Sequence, residues 1–183
     1  AEEFSKLQML EMGKTMKSGP SGIEKCAFLC DYYADNAEKI LSHETLQTNN
    51  KEHYVEFDPL GVILAVMPWN FPFWQVYRFA IPALMAGNIG LLKHASNVPQ
   101  CAKAIEESFR ASGFPEGIFQ NLFLPSSRIE GLIRDERIAA VTLTGSEKAG
   151  QSVASIAGDE IKKAVLELGG SDPFIVFADA DIE

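Results

Sequence analysis

The sequence predicts an α/β protein in which helices cover both faces of a parallel sheet. Two observations favour this class. After Gly61, apolar runs of strand length alternate with stretches of helical spacing, and continuous apolar strands are typical of a parallel sheet buried on both faces. The chain also has the material for a sizeable core, because 46% of its 183 residues are hydrophobic.

Residues 1–58 are predicted to form helices and an extended ribbon ahead of the sheet. The first helix stops at Gly13 and carries three apolar residues on one face, Phe4, Leu7 and Leu10. A capping box of Ser21 and Glu24 is predicted to open the second helix, which runs to about residue 41. The stretch "NNKEHYVEFDPLG" alternates with strand period and then turns, which indicates a ribbon leading into the core.

The cysteines are interpreted as core residues. The second helix has an apolar stripe made of Ile23, Ala27, Cys30, Ala34, Ala37 and Leu41. A metal or redox pair of Cys26 and Cys30 is the alternative, but free cysteine is among the most buried residue types. Cys101 lies in another helical stretch and receives the same interpretation. With three cysteines and three histidines, the sequence has no metal-ligand spacing, so we expect no metal.

Residues 59–183 are predicted to form the sheet and its covering helices. The strands are predicted at "GVILAVM", "NIGLLKHA", "IFQNLFL", "AAVTLTG" and the pair "KAVLELGG" and "DPFIVFADA". The helices between them are predicted at "FWQVYRFAIPALMAG", which Pro82 kinks or breaks, "PQCAKAIEESFRAS", which Gly113 ends, "SSRIEGLIRD" and "SEKAGQSVASIAG".

Charge and hydropathy exclude several partners. A net charge of −9 argues against a nucleic-acid or anionic-membrane surface, since phosphate binding needs a surplus of lysine and arginine. No apolar run approaches the ~20 residues that span a bilayer, and no signal sequence opens the chain. We therefore expect a cytoplasmic protein with no membrane and no nucleic-acid partner.

One strand end has the pattern of a phosphate site. In "LTGSEKAGQS", Gly145 ends a predicted strand and Ser146 is the predicted N-cap of the next helix, which leaves free backbone N–H groups for an anion. A P-loop is disfavoured, because Gln151 stands where the loop needs its lysine. A plain strand-to-helix turn without a ligand stays open as the alternative.

Four strand-end motifs together carry a resemblance to a known family. In chain order they are "PWNFP" (68–72), "LLKHAS" (91–96), "LTGSEKAG" (143–150) and "LELGGSDP" (166–173). At these separations they resemble the aldehyde dehydrogenase superfamily over almost the whole chain. The resemblance implies that residues 59–183 form a Rossmann-like nicotinamide-dinucleotide domain, which here is incomplete.

The resemblance also implies roles for individual residues. Asn70 would donate to the oxyanion formed when a thiolate attacks the aldehyde, and Glu167 would activate water for thioester hydrolysis. Burial between two leucines would strengthen Glu167 as a base, although a salt-bridged strand charge is the alternative. The implied cofactor contacts are Pro68, Trp69, Asn70, Lys93, His94, Ala95, Ser96, Gly145, Ser146 and Leu168.

The substrate and the cofactor can be narrowed by the same resemblance. The motifs look most like the succinate-semialdehyde dehydrogenase branch, in which the arginine at the position of Arg78 helps to bind the substrate carboxylate. Trp74 is expected as a second substrate contact, and a surface salt bridge is the alternative for Arg78. Ser96 replaces the glutamate found in many NAD-using members. Serine does not repel the extra phosphate of NADP, and Lys93 and His94 would add positive charge, so NADP is expected, with NAD as the alternative.

The resemblance leaves a gap in the catalytic machinery. The nucleophilic cysteine of the family lies tens of residues beyond "ELGG", and none of the three cysteines here matches it. The chain is therefore interpreted as an internal piece of a longer enzyme, inactive by itself, whose parent is a homodimer or homotetramer. Two other functions stay open, a non-catalytic nucleotide-binding fragment and a dehydrogenase of another small aldehyde.

Overall fold

The computed structural model describes residues 1–48 and 51–181, and its centre is a sheet of parallel strands. The five strands lie in the order β5-β4-β3-β6-β7. They are β3 (Val62–Met67), β4 (Ile89–His94), β5 (Phe119–Asn121), β6 (Ile138–Thr144) and β7 (Lys163–Glu167). The strand order reverses beside β3, which pairs with both β4 and β6. Ligands of such sheets bind beyond the carboxyl ends of the strands at this switch point.

Helices pack on both faces of the sheet, as predicted. They are α1 (Glu2–Met12), α2 (Gly19–Ile40), α3 (Trp74–Met85), α4 (Pro99–Ala111), α5 (Ile129–Ile133) and α6 (Glu147–Asp159), with a 3-10 turn at Ser126–Arg128. One core cluster joins α3 and α4 to the face that carries Ala65 and Leu92, and a second joins α5 and α6 to the face that carries Leu64 and Val141. This alternation along β3 follows from the two-residue period of a strand.

The N-terminal helices share the first of these cores. Cys26 of α2 and the half-buried Phe4 of α1 both belong to it, and the Phe4 ring stacks on Phe73 at 4.9 Å between centroids. The N-terminal helices therefore form a fourth layer, outside α3 and α4.

Two details of the N-terminal helices differ from the prediction. Leu10 is exposed and Ser5 is buried, because α1 approaches α2 at Gly19, where only a small side chain fits. The capping box is wrong, since α2 already begins at Gly19 and the Ser21 hydroxyl donates to the Ser18 carbonyl at 3.1 Å.

The buried stripe of α2 agrees with the predicted one only in part, since Ala37 is buried and Ile23 and Leu41 are half-buried as predicted. Cys26 is buried and Cys30 is half-buried, whereas Ala27 and Ala34 are exposed. The packing of α2 on α3 places the face with the two cysteines towards the core. Burying Ala27 and Ala34 instead would remove less apolar surface from water, because their side chains are small.

Three further differences lie in residues 59–181. Residues 172–180 form no strand, and Phe174 is 93% exposed. An apolar run becomes a strand only where a neighbouring strand forms hydrogen bonds with it. Among the described residues, no strand lies beside residues 172–180. Pro82 lies inside a continuous α3 and does not break it, and the predicted strand at 118–124 is reduced to three residues.

The predicted ribbon is present in part. Its first two residues, 49–50, lie outside the described residues. β2 (Lys51–Val55) pairs antiparallel with β1 (Glu44–Thr48), a strand that the sequence did not indicate. Among residues 1–48 and 51–181, no helix is long and apolar enough to cross a membrane.

Candidate functional site

A cavity at the carboxyl edge of the sheet unites three of the four motifs. This edge cavity, of about 410 Å³, lies between the ends of β3, β6 and β7 and the start of α3. Among its lining residues are eight predicted site residues: Pro68, Trp69, Asn70, Arg78, Gly145, Ser146, Glu167 and Leu168. A larger apolar groove of about 590 Å³ runs below it along β6 and β7 and shares Arg78 and Glu167.

The turn after β3 presents Asn70 at this edge. Met67 ends the buried strand, and the chain turns through Pro68 and the buried Pro72 before α3 begins at Trp74. Proline fixes its own φ near −65°, so the turn has little freedom. Asn70 is exposed, which leaves its side-chain amide available to a ligand in the edge cavity.

Arg78 and Glu167 face each other in the edge cavity. Arg78 Nη2 lies 3.8 Å from Glu167 Oε2, with the two side chains 40% and 59% exposed. The expected burial of Glu167 is therefore wrong in this structure, because β7 is an edge strand with one side open to solvent. An ion pair as exposed as this one is worth at most about 1 kcal/mol, so either partner can exchange it for a ligand.

The phosphate-type turn between β6 and α6 has the predicted cap. Ser146 is the N-cap, and its Oγ accepts a hydrogen bond from the Ala149 N–H at 3.3 Å. The Gly145 N–H donates to the Glu167 carbonyl at 2.9 Å, which ties the ends of β6 and β7 together. Leu168 packs directly against Gly150 of α6, where a side chain would overlap it. The glycine therefore allows the helix start and the end of β7 to come together.

Lys93 and His94 lie on opposite faces of the sheet, as neighbours along a strand must. Lys93 is 7% exposed and its Nζ donates to Ser126 Oγ at 3.3 Å. Burial lowers the pKa of Lys93 below its ordinary value. A lysine exposed to solvent at the strand end, the ordinary expectation for this residue type, is thereby excluded.

His94 is neutral, and the positive charge expected of it is absent. The Ala95 N–H donates to His94 Nδ1 at 2.9 Å, so Nε2 carries the ring hydrogen and donates to the Pro72 carbonyl at 3.0 Å. Burial lowers the pKa of His94 below its ordinary value, and the hydrogen bonds oppose this only in part. His94 thus joins the end of β4 to the turn that carries Asn70.

Ser96, which was predicted to contact the cofactor, lines a second cavity of about 320 Å³. This turn cavity is lined by His94, Ala95 and Ser96 and, across from them, by Asn121 and Pro125. Ser96 is exposed on a turn that the Val98 N–H closes by donating to the Ala95 carbonyl at 3.3 Å. The structure therefore divides the predicted site residues between two cavities on one sheet edge, except Lys93 and Trp74, which line neither cavity.

Trp74 is not brought together with Arg78. Lys25 Nζ lies 3.8 Å from the centroid of the Trp74 ring, which packs against the core between α2 and α3. Among the described residues, Trp74 lines neither the edge cavity nor the turn cavity.

Cys26 and Cys101 are buried and Cys30 is half-buried, as expected of residues in or beside the core. Burial raises the pKa of Cys26 to about 12 and also raises the pKa values of Cys30 and Cys101. Neutral thiols of this kind are poor nucleophiles. Within the described part of the chain, no group of three or more histidine, cysteine, aspartate and glutamate residues could hold a metal ion.

Sequence reasoning missed Gln75. It lines the edge cavity one helical turn before Arg78, and its Oε1 is buried with no hydrogen-bond partner among the described residues. The spacing of three residues from Arg78 puts both on one face of α3, and this was the available signal.

The comparisons with known proteins agree with this geometry. The model of the aldehyde dehydrogenase family matches residues 1–183, and the chain therefore belongs to that family.

Similar proteins share a narrower name. The chain is 59% identical over 182 residues to a probable succinate-semialdehyde dehydrogenase [NADP(+)] of Synechocystis, covering 100% of this chain and 40% of that protein. It is 58% identical over 186 residues to the succinate-semialdehyde dehydrogenase [NADP(+)] of Mycobacterium avium, covering 100% of this chain and 39% of the relative. The chain thus spans about 40% of the length of these relatives.

A solved structure gives the same result. Succinic semialdehyde dehydrogenase from Streptococcus pyogenes, solved in complex with NADP+, has a TM-score of 0.93 and 40% identity, covering 98% of this chain and 40% of that one. The predicted family and the Rossmann-like fold are confirmed.

Proposed function

We propose that this chain forms the cofactor-binding part of an NADP-dependent aldehyde dehydrogenase that oxidises succinate semialdehyde to succinate. The observation that carries the proposal is the edge cavity, where Asn70, Arg78 and Glu167 surround one space beside the capped start of α6. The names and the NADP complex of the similar proteins support the same substrate and cofactor.

The substrate is held at both ends in this proposal. The Asn70 amide donates to the aldehyde oxygen, and it stabilises the negative charge that develops when the carbonyl is attacked; one preorganised donor of this kind is worth roughly 100-fold in rate. The Arg78 guanidinium binds the distal carboxylate through parallel hydrogen bonds. Simple alkyl aldehydes, which have no distal carboxylate for Arg78, are therefore expected to be poorer substrates.

Glu167 acts in the hydrolysis that releases the acid. Its carboxylate takes a proton from water while the water oxygen bonds to the acyl carbon of the thioester, and the bond from that carbon to the thioester sulfur breaks, so that the sulfur leaves as a thiolate. The exposure of Glu167 leaves room for such a water. Because the ion pair with Arg78 is weak, a substrate carboxylate can draw the guanidinium away and leave Glu167 free to accept the proton.

The residues present fit a nicotinamide dinucleotide. Bound NADP+ supplies the acceptor for the hydride that leaves the aldehyde carbon. Lys93 is a buried cation that forms no ion pair in the described part of the chain, and a ligand with hydroxyl and phosphate oxygens relieves this cost. Ser96 can donate to the 2′-phosphate, and Gly145 and Ser146 offer the start of α6 to the pyrophosphate.

The experiment that tests the proposal separates binding from turnover. The 183-residue chain is titrated with NADP+, and Lys93→Gln serves as the matched variant that keeps a polar side chain. We expect binding by the wild type, at least tenfold weaker binding by the variant, and no NADPH formation with succinate semialdehyde, because the three thiols are buried or half-buried and burial raises their pKa values. A wild-type chain that does not bind NADP+ contradicts the proposal.

A further inference from the structure

The start of α4 cannot satisfy its own backbone donors. Its N-cap is Val98, which has no side-chain acceptor, and Pro99 follows it. The next two residues, Gln100 and Cys101, have N–H groups that point out of the first turn and need acceptors from elsewhere.

Glu11 of α1 supplies both acceptors. The Gln100 N–H donates to Glu11 Oε1 at 2.7 Å and the Cys101 N–H donates to Glu11 Oε2 at 2.8 Å. These bonds span 89 and 90 residues of sequence. One carboxylate thus caps the helix from another layer of the fold, with bonds that are stronger than neutral ones because the acceptor is ionised.

The capped helix start is also one end of the turn that carries Ser96. Val98 is fully buried, and its N–H closes the turn by bonding to the Ala95 carbonyl. The other end of the turn is fixed by His94, whose ring nitrogen accepts from the Ala95 N–H. Glu11 and His94 therefore hold the turn from its two ends.

From this arrangement we propose that Glu11 is a positioning residue for the adenosine end of the cofactor. By fixing the first turn of α4, it fixes where Ser96 meets the 2′-phosphate, although Glu11 does not line the turn cavity. The N-terminal helix thereby contributes to cofactor recognition. This inference rests on the proposed function, since it assumes that the turn cavity receives the phosphate-bearing ribose.

The test measures binding of 2′,5′-ADP and 5′-AMP to the 183-residue chain. We expect Glu11→Ala to weaken binding of 2′,5′-ADP about tenfold and binding of 5′-AMP much less, because only the first ligand has the phosphate that Ser96 contacts. Glu11→Gln keeps one oxygen acceptor and should show a smaller loss. Glu2→Ala, which removes another carboxylate from α1, one paired with Lys6, is the control and should leave both affinities unchanged.

The outcomes are distinct. A folded Glu11→Ala variant that keeps the wild-type ratio of the two affinities overturns the inference, even if its melting temperature falls, because a purely structural role predicts that result. If Glu11→Ala does not fold, the ratio of the affinities for 2′,5′-ADP and 5′-AMP is measured in Glu11→Gln instead. An unchanged ratio in that variant overturns the inference, and a lowered ratio supports it. Wild-type protein that binds neither ligand contradicts the proposed cofactor site itself, and the inference is overturned with it.

Discussion

Arg78 Nη2 and Glu167 Oε2 lie 3.8 Å apart, and both side chains border the edge cavity. The two residues are 89 positions apart in the sequence and belong to different elements, α3 and β7. The proposed reaction gives them separate tasks, the carboxylate of the substrate for Arg78 and the hydrolytic water for Glu167. In the proposed reaction, the substrate carboxylate would therefore compete with Glu167 for the same guanidinium.

Arg78→Ala should raise KM for succinate semialdehyde by roughly 10-fold to 150-fold in the complete enzyme, which corresponds to the 1.5–3 kcal/mol of a charge-assisted hydrogen bond. The KM for an uncharged aldehyde of similar length should change little, because it has no carboxylate to lose. Steady-state kinetics with both aldehydes measure this difference. Equal losses would show that Arg78 serves only as the structural partner of Glu167.

Asn70→Ala and Glu167→Gln should fail in different steps of the complete enzyme. Asn70→Ala should slow the first turnover by roughly 100-fold, since it lacks the donor to the developing oxyanion. Glu167→Gln should keep a rapid burst of NADPH and lose the steady state that depends on hydrolysis. Stopped-flow absorbance at the NADPH band separates the two phases, and an unchanged steady state in Glu167→Gln would remove it from the hydrolysis step.

His94 should make the fold less stable in acid. Burial lowers the pKa of folded His94 below the ordinary value of 6.5, so below that pH the unfolded chain binds a proton that the folded chain resists. The stabilisation is therefore full above pH 6.5 and is lost as pH falls through the folded pKa. Urea unfolding of wild type and His94→Gln at pH 7.5 and 5.5 measures this.

The advantage of the wild type over His94→Gln in free energy of unfolding should shrink at pH 5.5. Glutamine keeps a donor for the Pro72 carbonyl and does not titrate, so it corrects for the other groups that titrate in this range. A constant difference between the two proteins at both pH values would mean that His94 is not the titrating group.

Ile161 is a site where the fold is strained and a substitution should stabilise it. Its φ is 53°, in the left-handed region, and its side chain is 94% exposed, so it has little packing to lose. Ile161→Gly should raise the free energy of unfolding by about 0.5 to 1 kcal/mol, because glycine adopts this conformation without a steric penalty. Ile161→Val is the control, and an equal gain from valine would contradict this explanation.

The sequence predicted the sheet and which residues lie at the strand ends because both follow from local patterns. Apolar strand runs fix the parallel sheet, and rigid turns such as 68–72 fix which residues stand at its edge. The features that the sequence did not predict depend on contacts between residues that are distant in the sequence. The rotation of α2 that buries Cys26 is set by packing on α3, and the exposure of Glu167 follows from β7 being an edge strand.

Two polar contacts show the same limit. Val98 at the start of α4 indicated no cap, and only the fold brings Glu11 to that helix. The neighbouring Lys93 and His94 suggested two positive charges at one point, whereas the strand period separates them onto opposite faces and burial keeps His94 neutral. The charge of a side chain in a motif therefore depends on its burial, which the motif alone does not predict.

The proposed NADP+ site is tested most directly through the role of Ser96 in cofactor choice. The measurement is kcat/KM of the complete enzyme for NADP+ and for NAD+ with succinate semialdehyde. We expect the wild type to prefer NADP+. In Ser96→Glu the preference should fall by at least tenfold, because a carboxylate about 4 Å from the 2′-phosphate repels it by several kcal/mol at a surface dielectric. A wild-type preference for NAD+, or an unchanged kcat/KM for NADP+ in Ser96→Glu, would contradict the proposed contact between Ser96 and the 2′-phosphate.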